Sequence, residues 1–445
     1  MASISSPAVS GPVHAPGDPG YAPELAGFNL AVQHSPELVV GAADAADVLQ
    51  AVRFARERGM RVAVQSTGHG AHDAVTSGLL VTTRRLDAVD VDPGTRTATV
   101  GAGARWAAVI AAAAEHGLAP VTGSSDNVGV VGYLLGGGLG PLARSHGFSS
   151  DYLTSFSVVT GEGEAREASE QEHPDLFWAL RGGKSGLGVV TGVRLRLVEL
   201  GTLYAGSLFF AEEHIETAMR TWADWTATAD PSVTTSVAII RFPPLDVVPA
   251  PFRGRRLLSL RFAYPGAAED GARLAAPLRA AAPVHLDALA EIPAGAMASI
   301  HNDPSEPAPS WVTGTMLTQV DQELVTALLG HVGAGTDAPF VATELRHLGE
   351  ATHRDVPGGS AVGGRGGAFT LGVVSLPDPT LFGSTTPAAA AALARDLKPW
   401  IAAETTINFA GLPRPGEEPV SAWPAATAAR LAEVRRRYDP DGLFA

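Results

Sequence analysis

The chain has 445 residues, 45% of them hydrophobic and 18% charged, enough to bury a large core and, by length, to divide into two or three lobes. Its net charge of −14 argues against nucleic acid as the main partner, and no apolar run approaches the roughly 18 to 20 residues that span a bilayer. The absence of cysteine removes disulfides, thiolate metal sites, Fe–S clusters and cysteine nucleophiles. Clusters of His and Asp/Glu at metal spacing are not evident either, so no metal is expected.

Residues 1–20 have neither a basic region nor an apolar one of the kind a secretory signal needs. The expectation is a cytoplasmic protein whose residues 1–37 form a frayed, Pro/Gly-rich leader. Residues 37–65 then read as strand, helix, strand. The helix is opened by Ala43-Asp44, places Val48, Leu49, Val52 and Ala55 on one face and stops at Gly59. Arg61–Gln65 alternates as a strand into the glycine-rich turn Thr67–Gly70. Leu79–Thr83, Ala88–Val91 and Thr97–Gly101 read as strands, the last two joined by the turn Asp92-Pro93-Gly94-Thr95, in which glycine supplies the unusual backbone angle. Ala104–His116 is an alanine-rich helix closed by Gly117.

Gly101-Ala102-Gly103 lies between a strand and a helix, as a dinucleotide fingerprint would, but Trp106 stands where the third glycine is needed. It reads as a tight turn. Residues 121–140 hold seven glycines in twenty positions, and residues 181–192 are glycine-dense again before Val193–Leu200 leaves as a strand. After about residue 200 the glycine clusters thin out. Amphipathic helices over 212–229, 267–280 and 319–333 alternate with strands such as Val237–Arg241 and Leu257–Phe262, which sets a domain boundary there. The chain closes with a helix, Ala425–Tyr438, that turns Leu431, Val434 and Tyr438 inward.

Backbone can approach a pyrophosphate closely only where Cβ is absent, and consecutive N–H groups there form an anion nest; the plainer alternative is tight packing of strands on helices. Three such clusters in one region favour a nucleotide cofactor. The residues also carry a resemblance. Val62-Ala63-Val64-Gln65-Ser66-Thr67-Gly68-His69, the run Gly123 to Gly140, the element Asp175-Leu176-Phe177-Trp178-Ala179-Leu180-Arg181-Gly182-Gly183 to Thr191, and Arg430-Leu431 through Pro440 together resemble the p-cresol-methylhydroxylase-type (vanillyl-alcohol-oxidase family) FAD-binding oxidoreductases, in their berberine-bridge-enzyme-like branch.

That resemblance implies an α+β fold: a two-part FAD-binding domain from residues 38–200 and 400–445, with an inserted sheet-and-helix substrate domain over 201–399. It assigns FAD contacts to Gln65, Ser66, Thr67, Gly68, His69 and Gly70, then to Gly123, Ser124, Val128, Gly129, Gly132, Gly136 and Gly138, and finally to Gly188, Val190 and Asn408. It also implies that His69 is bonded to the 8α-methyl of the flavin, a neutral imidazole being a competent nucleophile. His72 is the nearest rival. Some relatives add a cysteine link where Ser125 stands; without cysteine, the bond here is single.

Lys184 replaces a residue that is usually small or amidic, leaving a cation either near the cofactor phosphates or in solvent. The Tyr-x-Asn element of many relatives reads Thr406-Ile407-Asn408, so the tyrosine is missing and Asn408 is left to bond the flavin or the substrate. The alternation of Val341–Leu348 puts Glu344 and Arg346 on one face of a strand and Leu345 and His347 on the other. In relatives this region faces the flavin, so Glu344 with Arg346 is either an acid/base pair or an ordinary ion pair. His301 and Arg365 are further candidates. The resemblance implies an oxidase passing electrons from a small organic substrate (an alcohol or specialised metabolite) to covalent FAD and then to O2, which the small Val130 and Val131 would admit. A dehydrogenase, an oxidative cyclase or oxygenase, and an inert flavin-binding protein are the alternatives. Monomer and homo-oligomer are both open.

Overall fold

The computed structural model describes residues 6–412 and 421–444; the first five residues of the expected leader, and residues 413–420 and 445 of the expected C-terminal segment, lie outside the described residues. Three larger sheets organise the described residues, beside a two-stranded pairing of Leu118–Ala119 with Val198–Glu199. In the first, the strands Leu38–Gly41 and Val62–Gln65 flank Leu79–Thr82, both parallel to it, with Val40 and Val64 opposite Val81. The helix Ala45–Glu57 makes the crossover. Val48, Ala51, Val52 and Ala55 recur every three or four residues and are fully buried against the sheet. Asp44 caps its first turn by accepting from the Asp47 amide at 2.9 Å, and Gly59 ends it at φ +64°.

The second sheet is antiparallel and has the order Val89–Asp92, Thr97–Gly101, Val189–Arg196, Leu153–Val159, Ala165–Ser169. The helices Trp106–Ala114, Pro174–Leu180 and Ala425–Tyr438 pack into its core. Leu431, Val434 and Tyr438 are the buried face of the last helix. It is tied back to the third glycine cluster, where Arg435 Nη2 donates to Gly183 O at 2.8 Å, and to the end of the strand Leu153–Val159, where Gly161 N donates to Tyr438 O at 2.8 Å.

The third sheet is eight-stranded, in the order Val284–Asp287, Thr202–Ala211, Arg256–Tyr264, Thr234–Arg241, Phe340–His347, Phe369–Ser375, Val312–Leu317, with Ala290–Pro293 also on Thr202–Ala211. The helices Ile215–Thr226, Ala268–Arg279, Gln322–Val332 and Thr385–Asp396 contribute to the core on one of its faces, where Trp222, Leu260, Phe262, Leu345 and Leu371 meet. Alternation puts Ser236, Arg261, Glu344 and Arg346 on the opposite face. This polar face positions the candidate site.

Two local expectations change. In the turn after Asp92, the left-handed residue is Arg96 at φ 53° rather than Gly94, because Asp92 accepts from the amides of Gly94 and Thr95 and holds the turn in an ordinary conformation. The leader is not frayed over its described residues. Val13–His14 pairs with Leu38–Gly41, and the Asp47 carboxylate takes the amides of Ser10 and Gly11 at 2.7 and 2.8 Å. Glu24, nearly buried, pairs with Arg84 and Arg85 and accepts from Thr82. A segment poor in apolar residues is thus fixed by buried polar contacts, which hydrophobic patterning does not reveal.

Candidate active site

The first glycine loop leaves the strand Val62–Gln65. Gly68 sits at φ +73°, and a Cβ there would come within 2.8 Å of Gly27 Cα, so glycine is required for the leader to cross. The crossing leader donates its Phe28 amide to Thr67 O at 2.8 Å and lays the Phe28 ring on the His69 imidazole, 3.7 Å between centroids and 13° between planes. His69 Nδ1 lies 3.0 Å from Thr67 Oγ1, while Nε2 is buried without any partner. Burial, with Arg105 adding to it, pushes the His69 pKa down to about 4. The imidazole is therefore neutral, fixed in its plane, and free at one nitrogen.

Ser66 Oγ and His72 Nδ1 are also buried without partners, and nothing lies within 4 Å of a Cβ built on Gly70 or Gly132. A buried polar atom left unpaired costs about 1–3 kcal/mol, so several together mark a place where a polar group from outside the chain is bound. The second loop meets the first there: a Cβ on Gly129 would lie 3.2 Å from Ser66 Oγ. These residues fit a bound dinucleotide cofactor.

Other expected cofactor residues serve the fold. The Gln65 amide donates to Leu25 O at 3.0 Å and its Oε1 lies 2.9 Å from His34 Nε2, so its side chain is taken up by the leader. A Cβ on Gly188 would meet Val159 O at 2.5 Å, and Val190 is buried in the core of the second sheet. A Cβ on Gly123 or Gly138 would meet the Tyr133 ring at 2.9 or 2.3 Å, and one on Gly136 would meet Asn408 Oδ1 at 2.0 Å. At these positions the missing Cβ is demanded by the chain itself, the plainer of the two readings. Val128 is half-buried against the same core, and Ser124 Oγ lies 3.5 Å from Arg346 Nη2.

Asn408 is locked at both ends of its amide. Its Nδ2 donates to Tyr133 O at 2.8 Å, and its Oδ1 accepts from Lys184 Nζ at 2.8 Å. Lys184 also donates to Gly132 O at 2.8 Å, and burial pushes its pKa down to about 8. Lys184 is thus neither loose in solvent nor unpaired; with Asn408 it ties the C-terminal segment to the second loop.

On the polar face of the large sheet, Glu344 binds two guanidiniums rather than one. Arg346 Nε donates to Oε2 at 2.7 Å, Arg261 Nη1 donates to Oε1, and Ser236 Oγ donates to Oε1 at 3.1 Å. Burial alone would raise the carboxyl pKa, but Arg346 and Arg261 outweigh it and hold it down to about 2. His301 Nε2 is 3.6 Å from Glu344 Oε1, too long for a hydrogen bond, and neither ring nitrogen has a partner. Burial, then Arg261 and Arg346, push the His301 pKa well below its usual value. Arg261, His301, Arg346, Ile300 and Leu348 line a cleft together with Leu139, Gly140 and Pro141 of the second loop. Arg365 lies elsewhere, paired with Asp151 and Asp355.

Arg261 and Phe28 were not singled out from the sequence. An arginine set among Leu257, Leu258, Leu260 and Phe262 was the available signal for the first; nothing local marks the second.

A family model described as an FAD binding domain matches residues 36–169. The chain thus carries an FAD-binding domain over these residues. It is 35% identical over 167 residues to (R)-6-hydroxynicotine oxidase of Paenarthrobacter nicotinovorans, covering 37% of this chain and 36% of that protein. It is 36% identical over 174 residues to the FAD-dependent monooxygenase FUP4 of Fusarium proliferatum, covering 38% and 34%. The matches thus span about a third of these relatives. The fold extends further: 6-hydroxy-D-nicotine oxidase from Arthrobacter nicotinovorans superimposes with a TM-score of 0.79 at 23% identity over 100% of this chain and 98% of that one. Glucooligosaccharide oxidase from Acremonium strictum, described with a 6-S-cysteinyl, 8α-N1-histidyl FAD, gives 0.79 at 19% identity over 98% and 95%. Among the described residues, no helix is long and apolar enough to cross a membrane, and no group of three or more His, Asp or Glu is placed to hold a metal ion.

The buried histidines of this FAD-binding chain make its stability pH-dependent. Burial and Arg144 lower the His347 pKa to about 3, whereas an unfolded histidine titrates near 6.5. Between those values the unfolded chain binds a proton that the folded chain refuses. Stability present above pH 6.5 is therefore lost progressively as pH falls toward 3, and His69 and His301 act in the same direction. The midpoint of thermal unfolding is expected to drop across this window, less steeply in His347→Gln. A midpoint that stays level between about pH 6.5 and 4 contradicts this assignment.

Proposed function

We propose that the protein is an FAD-dependent oxidase that holds its flavin through one bond to His69 and oxidises a small organic substrate, with O2 as acceptor. The observation that carries this is His69 itself: a neutral imidazole stacked on Phe28, anchored at Nδ1 by Thr67, with Nε2 buried and unpaired where two glycine loops meet. Nε2 is the nitrogen left for the bond. A second bond through sulfur is impossible in a chain without cysteine. When bound, the flavin supplies the electron chemistry.

The chain's part is to hold the substrate and manage a proton. His301 is the proposed proton acceptor, because it is neutral, lines the cleft and has no other partner. Both carboxylate oxygens of Glu344 are already taken by Arg346, Arg261 and Ser236, so we assign Glu344 a positioning role: it orients Arg261 and Arg346 and offsets the charge His301 gains. Asn408 supports the second loop through Tyr133 and Lys184.

An oxygenase reading has one observation in its favour: Thr406, buried and 3.4 Å from Gly136 O, stands where many relatives have a tyrosine. The test is aerobic turnover with substrate-reduced protein. The oxidase reading expects rapid return of the yellow spectrum with one peroxide per product. Recovery over many minutes, with immediate recovery on adding a quinone, makes the protein a dehydrogenase. Product containing an atom of labelled O2 with little peroxide makes it an oxygenase.

A further inference from the structure

The polar face of the eight-stranded sheet holds more positive than negative charge where it lines the cleft. Ser207, Arg261, Ser236 and Arg346 stand opposite one another in one row across four strands. Among the described residues, Glu344 is the carboxylate that pairs with both guanidiniums, and the three side chains are only 8%, 15% and 17% exposed. Asp303, exposed at the surface, adds a further attraction for Arg346 without an ion-pair contact. Two buried cations therefore share one buried anion.

Donor capacity also exceeds what the chain uses. Arg261 Nε is buried without a partner, and so are both ring nitrogens of His301, whose side chain is 5% exposed. A closed structural ion-pair network would satisfy these atoms internally, since buried charges and donors are costly unless paired. The cleft they line also carries the apolar side chains of Leu139, Ile300 and Leu348, so apolar groups stand beside the convergent polar ones, as in a small-molecule site.

We propose that the substrate is a small organic acid whose carboxylate docks on Arg261 and Arg346 beside His301, with its apolar body against Leu139, Ile300 and Leu348. One anionic group brings the buried cluster to neutrality, and guanidinium is the donor whose planar fork matches carboxylate geometry. Glu344 then keeps both forks aligned while the ligand supplies the missing negative charge. The inference rests on the flavoenzyme reading only in taking this cleft as the substrate site.

The test is calorimetric titration of the full-length protein as purified, at pH 7, with benzoate, phenylacetate and cinnamate, each against its methyl ester and its primary amide. At least one acid is expected to bind saturably and at least about tenfold more tightly than its ester and amide, the range for a hydrogen bond to a charged group. Arg261→Gln is expected to remove that preference while leaving ester affinity unchanged, and Arg261→Lys to retain part of it. Equal affinity for acid and ester in the wild-type protein, or no saturable binding of any of the acids, overturns the proposal whether or not the variants fold. Heat of binding needs neither turnover nor colour. A colourless protein that still selects acids would therefore sink the flavoenzyme reading alone, and a yellow protein indifferent to ligand charge would sink only this one.

Discussion

Replacing His301 with glutamine is expected to lower turnover by roughly 10²-fold or more, the usual loss when a general base is removed, and to leave flavin content unchanged. His301 has both ring nitrogens unpartnered in a buried cleft, so glutamine of similar size disturbs no hydrogen bond there. Glu344→Gln is expected to lower turnover as well, through His301. Without the carboxylate 3.6 Å away, Arg261 and Arg346 depress the imidazole further, so the acidic limb of kcat/KM moves to lower pH. A structural role alone moves stability and leaves that limb in place, and Glu344→Asp restores part of the wild-type profile only if the charge matters. Near-normal turnover in His301→Gln, with a large loss in Glu344→Gln and no movement of the limb, returns the role of base to Glu344.

The second large effect is expected at His69. His69→Ala removes the imidazole that Thr67 and Phe28 hold at the meeting of the two glycine loops, so the variant is expected to fold, to bind FAD without a bond and to release all of it on acid precipitation. Its flavin potential is expected to fall and oxidation to slow, because the covalent bond withdraws electron density from the ring. The fold should survive, since the side chain's contacts are one stacked ring and one hydroxyl. Acid-stable yellow colour in His69→Ala would instead point to His72, whose Nδ1 is also buried and unpartnered.

The sequence makes some of this site legible and hides the rest for physical reasons. The crossover helix Ala45–Glu57 and the closing helix Ala425–Tyr438 follow from apolar periodicity, and the first loop stands out because strand, glycine and histidine are contiguous. A glycine beside open space and one that admits a neighbour read alike, which is why Gly70 and Gly132 could not be told from Gly138 and Gly188; only the surrounding atoms separate them. Arg261 and Glu344 are 83 residues apart and meet through strand register, a long-range quantity that local patterning does not carry. Phe28 lies in a stretch that composition suggests is loose, yet it stacks on the residue on which the account depends.

A bond between His69 and FAD is tested most directly by peptide mass. Trypsin should release Val62–Arg84, which contains both His69 and His72. That peptide is expected to carry the mass of FAD less two hydrogens, with fragmentation placing the addition on His69. An unmodified peptide with all flavin released by acid, or an addition on His72, contradicts the account.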